Sequence, residues 1–152
     1  LRKTQDGDKM DDFECKIRVQ YFDTDKMQVV HHANYIRFFE TARTEYLRHF
    51  GFAYSDMEKE HMQIPVLSVN AKFRTPAVYD ELISIKCRIV KLGPASMELE
   101  YEVRNSDTGE LHVTGHSRHG FTNQDLKPVP LKKTNPEVYA FFEKLYKESK
   151  SE

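Results

Sequence analysis

Apolar and polar residues alternate one for one through several short stretches of the chain, and they recur at helical spacing through two longer ones. Cys15, Ile17, Val19 and Tyr21 alternate with polar neighbours from Glu14 to Tyr21, the pattern of a half-buried strand. From about Ala33 to Phe50, Tyr35, Ile36, Phe38, Phe39, Ala42, Tyr46, Leu47 and Phe50 form an apolar stripe so broad that it predicts a helix surrounded on several sides. Gly51 suits its end. A short helical turn follows over 54–61. Ile64, Val66, Val69 and Phe73 suggest another strand, with Pro65 pointing to an edge or a bulge. Three clean alternations come next: Ile83 to Ile89, Met97 to Val103, and Leu111 to Phe121. Gly93-Pro94 and the stretch Asn105 to Gly109 supply the turns between them, so the three predict an antiparallel meander. Asn135 is placed to cap a last helix. Pro136 takes its first position, and Val138, Phe141, Phe142 and Leu145 form its apolar stripe. This order predicts an α+β fold in which an antiparallel sheet packs on one long helix.

Length and charge narrow the class. A chain of 152 residues suits one domain with a real core, expected over 13–149 behind a flexible polar tail at 1–12. The net charge of -1 carries no electrostatic footprint for nucleic acid. No apolar run approaches the length of a membrane span. Only two cysteines occur, Cys15 and Cys87, each inside a strand pattern, so a disulfide framework is not expected. With no signal-like apolar segment at the start, the expected location is cytoplasmic.

The chemistry concentrates in one stretch, Tyr21-Phe22-Asp23-Thr24-Asp25-Lys26-Met27-Gln28-Val29-Val30-His31-His32-Ala33-Asn34-Tyr35. It sets two acids, a short loop and two histidines directly before the long helix. A helix N-terminus stabilises negative charge developing on a carbonyl oxygen, and a carboxylate beside it can act as nucleophile or base on an acyl bond. This segment, continued by Phe39-Glu40-Thr41-Ala42-Arg43-Thr44-Glu45-Tyr46-Leu47-Arg48, resembles the signature of the 4-hydroxybenzoyl-CoA thioesterase-like family of hotdog-fold acyl-CoA thioesterases. The resemblance extends more loosely from about Cys15 to Leu131. It implies a hotdog fold, a sheet wrapped around a central helix. It also implies hydrolysis of an acyl-CoA or related thioester without a cofactor, and a homodimer or homotetramer with active sites at the subunit boundary.

The resemblance also implies roles for residues. Asp25 matches the family's catalytic carboxylate; read alone, it is a loop acid that caps the next turn. Asp23 is expected to fix the loop through backbone amides. His32 matches an active-site position that acts through its backbone N–H or its imidazole. Tyr21 matches another; read alone, it is a core aromatic with a satisfied hydroxyl. His31, Val30 and Gln28 line the same loop and are expected on the substrate side. Asn34 is expected there too, or as a helix cap. Relatives usually carry glycine where this chain has Gln28. Glutamine there would narrow the acyl entrance or bring an amide to the thioester.

Rival readings follow from the residues. Glu40, in mid-helix, could be the catalytic carboxylate, but an i,i+3 ion pair with Arg43 is more economical. His112 and His116 share one strand face and His119 takes the other, so without a bulge they cannot converge on a metal ion, and none is expected. Lys72 and Arg74, with Lys127, Lys132 and Lys133, are the cations available to the phosphates of a CoA-type substrate. The alternatives to an acyl-CoA thioesterase are a hydrolase of acyl-carrier-protein thioesters and a non-catalytic acyl-CoA-binding module on the same fold.

Overall fold

The computed structural model describes residues 13–150; the tail expected over 1–12 lies outside the described residues. The strands are β1 (Cys15–Arg18), β2 (Val66–Phe73), β3 (Leu82–Leu92), β4 (Ser96–Asn105) and β5 (Leu111–Gly120). The helices are α1 (Asn34–His49), α2 (Tyr54–Lys59), α3 (Leu131–Thr134) and α4 (Pro136–Lys150). The strands form one antiparallel sheet in the order β1-β3-β4-β5-β2. The connection from β1 through α1 to β2 therefore crosses the whole sheet, from one edge to the other. This is an α+β fold of the hotdog type, with the sheet wrapped around α1. Among the described residues no helix is long and apolar enough to cross a membrane.

The three alternating runs form β3, β4 and β5 because each has one face to bury. Ile83, Ile85, Cys87 and Ile89 lie inward, as do Met97, Leu99, Tyr101 and Val103. Against them α1 packs Tyr35, Phe38, Phe39, Ala42, Tyr46 and Leu47. Phe39 lies face to face with Tyr101, ring centroids 4.4 Å apart, directly over Gly115. A Cβ at Gly115 would sit 2.3 Å from Phe39 Cζ, so the absence of a side chain there sets how closely α1 approaches the sheet. Asn135 caps α4 as expected, its side-chain oxygen accepting the Val138 N–H at 3.2 Å. Gly51 ends α1 with φ 108°. The register of β2 on β5 shifts between Val66 and Ser68, beside Pro65, at the sheet edge.

Two expectations fail for physical reasons. The first strand stops at Arg18 rather than Tyr21, because the Gln20 N–H turns to the Asp23 carboxylate at 2.8 Å and the chain enters a 3-10 turn over Tyr21–Asp23. Arg43 does not pair with Glu40. Its guanidinium donates to the Tyr101 hydroxyl at 3.1 Å, inside the core. That bond starts a polar chain, from Tyr101 to Ser117 Oγ at 2.6 Å and on to His119 Nε2 at 2.7 Å. Arg43 can only donate, so the Tyr101 oxygen accepts at this end of the chain. His119 Nδ1, at the end of this chain, is buried and has no partner among the described residues.

Candidate active site

The loop between β1 and α1 is folded by its own polar groups. The buried Asp23 holds it from inside: its carboxylate accepts the Gln20 N–H, and its carbonyl accepts from the His31 N–H at 2.9 Å and from Asn34 Nδ2 at 2.8 Å. Asn34 thus ties the helix start to the loop and does not cap the helix; the residue before α1 is Ala33, which makes no side-chain cap. Thr24 and Val30 pair as an antiparallel bridge. Between them the Asp25 N–H donates to the Val29 carbonyl at 3.0 Å and the Gln28 N–H to the Asp25 carbonyl at 2.9 Å.

Asp25 stands at the head of this small hairpin. Its Oδ1 accepts the Met27 N–H at 2.8 Å, the turn-capping bond expected of a loop acid, and Oδ2 has no partner among the described residues. Gln28 takes φ 65°, a left-handed conformation that glycine adopts without strain. The backbone at this position therefore favours glycine over any residue with a side chain. The Gln28 side chain itself is exposed in the single chain.

Helix α1 begins beside this hairpin. The His31 ring stacks on His32, centroids 4.2 Å apart, and its Nδ1 accepts the Ala33 N–H at 3.1 Å. The N–H groups of Asn34 and Tyr35 donate to the carbonyls of His31 and His32. Among the described residues the His32 N–H has no partner, so it is a free donor at the positive end of the helix. The His32 ring meets Phe73 at an angle of 80°, 6.4 Å between centroids.

The other candidates divide. Val30 is buried in the core, its N–H donating to the Ala77 carbonyl at 2.9 Å. Tyr21 is 79 % exposed, which removes the core-aromatic reading; its ring packs edge-on against Tyr79. Phe22, Met27, Val78, Tyr79 and Phe73 are exposed as well, an unusual amount of apolar surface, here called the apron, for a single chain. Lys72 precedes Phe73 on β2. Phe73 faces His32 and Tyr35, so Lys72 lies on the opposite face, in a cavity of about 570 Å³ with Lys86, Arg88, Glu100 and Glu102. Arg74 is exposed just past the strand, its N–H donating to the His112 carbonyl. Glu40 is exposed on a separate groove of about 570 Å³ with Arg37, Thr41 and Thr44. The sequence reading missed Glu81, which meets His112 in a buried pair beneath the loop. Only its place at the start of a strand could have flagged it.

Comparison with known proteins supplies the class. Residues 27–112 match the model of the thioesterase superfamily. The chain is 33 % identical over 100 residues to the acyl-CoA thioester hydrolase YbgC of Escherichia coli O6:H1, covering 66 % of this chain and 75 % of that one. It is 34 % identical over 89 residues to the acyl-CoA thioesterase YbgC of Haemophilus influenzae, covering 58 % and 65 %. Among solved structures, a DHNA-CoA thioesterase from Staphylococcus aureus superposes with a TM-score of 0.84 at 31 % identity, covering 91 % of this chain and 93 % of that one. The chain belongs to the thioesterase superfamily, and it is a thioester hydrolase.

Proposed function

We propose that the protein hydrolyses acyl-CoA thioesters, with Asp25 and the N-terminus of α1 as the reacting centre. The observation that carries this reading is the unpartnered His32 N–H beside a loop that anchors one oxygen of Asp25 and leaves the other free. The relatives named for acyl-CoA substrates support the choice of thioester. As the carbonyl carbon becomes tetrahedral, negative charge grows on its oxygen, and the His32 N–H with the helix dipole stabilises it. In one route Asp25 Oδ2 attacks the carbonyl, the C–S bond breaks, the thiolate takes a proton, and water cleaves the acyl-aspartate to free acid. In the other, Asp25 takes a proton from water as the water attacks, and collapse of the tetrahedral intermediate breaks the C–S bond and hands that proton to the leaving thiolate. His31, Gln28 and Asn34 border the entrance, with Tyr21 at its rim. Arg74 is the better placed of the two candidate cations for the CoA phosphates, since Lys72 serves this site only if another subunit brings it there.

The same reading includes assembly. The apron of Tyr21, Phe22, Met27 and Tyr79, together with the exposed edge strand β2, calls for a second copy of the chain, as homodimer or homotetramer. Two buried, unbridged cysteines fit a reducing, cytoplasmic setting. A panel of acyl-CoA and acyl-carrier-protein thioesters, read with a thiol-detecting dye, tests the activity. Turnover of acyl-CoA is expected, and binding without thiol release across the panel would leave the acyl-CoA-binding module as the function.

A further inference from the structure

Glu81 and His112 come from opposite sides of the sheet's end, Glu81 just before β3 and His112 near the start of β5. Their side chains are only 9 % and 3 % exposed, and His112 Nε2 meets Glu81 Oε1. His112 Nδ1 lies 2.9 Å from Thr75 Oγ1 and 3.1 Å from the Thr75 carbonyl. Thr75 Oγ1 already donates its hydrogen to the Leu111 carbonyl, so both Thr75 atoms are acceptors and Nδ1 carries a proton. Glu81 in turn accepts from the Val78 N–H at 2.9 Å and from Asn105 Nδ2 at 2.7 Å. Burial would raise the Glu81 carboxyl, but the hydrogen bonds from Val78, His112 and Asn105 outweigh it and hold it below the usual range.

A buried pair of this kind adds little net stability compared with apolar side chains of the same size. What it supplies is direction. Thr75 is fastened by His112 and Val78 by Glu81, so the segment 75–81 is held at both ends. The proposed catalytic loop rests on that segment. The Val30 N–H donates to the Ala77 carbonyl at 2.9 Å, and Val29 bridges Val78. The Asp80 N–H donates to the Val19 carbonyl at 3.0 Å, and the Val19 N–H to the Glu81 carbonyl at 2.9 Å.

We infer that Glu81 and His112 are positioning residues for thioester hydrolysis: through Thr75, Ala77 and Val78 they set the Asp25 loop against the start of α1. This rests on the active site proposed above. Neither side chain needs to touch substrate.

The experiment compares Glu81→Ala, Glu81→Gln, His112→Ala and the Ala/Ala double variant by steady-state hydrolysis of one acyl-CoA, well below each unfolding midpoint. Circular dichroism verifies folding, and amide exchange is followed at Val30. Misplacing reacting groups by about 1 Å lowers turnover by about 10²-fold, so each Ala variant is expected to lose about 10–10²-fold in kcat with KM within about threefold. Glu81→Gln, which still accepts the Val78 N–H, is expected to retain most of kcat. The double variant is expected to lose no more than the worse single one, because the pair acts as a unit. Val30 exchange is expected to quicken in the Ala variants alone. Should an Ala variant fail to fold, Thr75→Val, which removes one contact to Nδ1, is expected to lower kcat severalfold with KM unchanged. Folded variants with wild-type kcat and unchanged Val30 exchange would overturn the inference. So would a kcat loss in Glu81→Gln equal to that in Glu81→Ala. Asp25→Asn is assayed alongside: if it is inactive while the Ala variants turn over normally, only this inference fails, and if it stays active, the site itself is misassigned.

Discussion

Gly115→Ala tests whether one missing side chain sets the distance between α1 and the sheet. The added Cβ would lie 2.3 Å from Phe39 Cζ and 2.4 Å from Cε2. Carbon atoms in contact sit at about 3.5–4.0 Å, so the ring must retreat by more than about 1 Å. It has nowhere to go, because Phe39 is fully buried and its other neighbour is Tyr101, stacked at 4.4 Å. Overpacking costs about 1–3 kcal/mol, and losing the stacked pair adds about 0.5–1.5 kcal/mol, so a total near ~3 kcal/mol is expected. Phe39→Leu alone leaves a partial cavity, worth ~1–2 kcal/mol. The smaller leucine also makes room for the added methyl group, so the double variant should fall at least ~1.5 kcal/mol short of the sum of the two single losses. Urea unfolding at fixed protein concentration gives each value, with the slope checked for constancy. A Gly115→Ala loss under ~0.5 kcal/mol, or additivity in the double variant, would refute the packing argument.

Other expectations follow from single features. Burial, with Arg43 and His116 nearby, pulls the His119 imidazole down to about 3, far below an unfolded histidine near ~6.5, so the unfolded chain binds more protons between these values and stability is lost as pH falls through that window. His119→Gln should flatten the acid limb of stability against pH by up to ~1.4 kcal/mol per pH unit, and an unchanged slope would contradict a buried neutral His119. Gln28→Gly relieves a left-handed residue at ~1–2 kcal/mol against ~0.5–1 kcal/mol of added chain entropy, so a net gain of ~0.5–1 kcal/mol is expected in urea unfolding, and a loss would count against the backbone reading of this position. Light scattering at micromolar concentration should give a dimer or tetramer; a stable, active monomer would remove the argument from the apolar apron.

Much of the fold was legible because β3, β4 and β5 each bury one face, and alternation reports that directly. The helices were legible through their stripes and through Asn135 and Gly51 at their ends. Tyr21 misled because it continued the parity of β1, while a carboxylate two residues on captured the Gln20 N–H and ended the strand. Arg43 misled because a local partner, Glu40, lost to Tyr101, 58 residues away in sequence. The Asp25 loop stood out as a block of residues, but nothing local marked the support beneath it. Glu81 and His112 are 31 positions apart and meet only once the meander brings the starts of β3 and β5 to the same end of the sheet, on either side of the end of β4. Lys72 was legible as a cation but not as one aimed away from Phe73; that follows from strand parity only once the inward face of β2 is known.

The most direct test of the account is the turnover of Asp25→Asn on an acyl-CoA that the wild-type protein hydrolyses, followed by thiol release, with Glu40→Gln measured beside it. The substitution keeps the shape and removes the nucleophile or base, so kcat is expected to fall by ~10²–10⁴ in a folded protein while Glu40→Gln stays near wild type. Near-normal hydrolysis by Asp25→Asn, with Glu40→Gln inactive, would contradict the account and move the reacting carboxylate into the middle of α1.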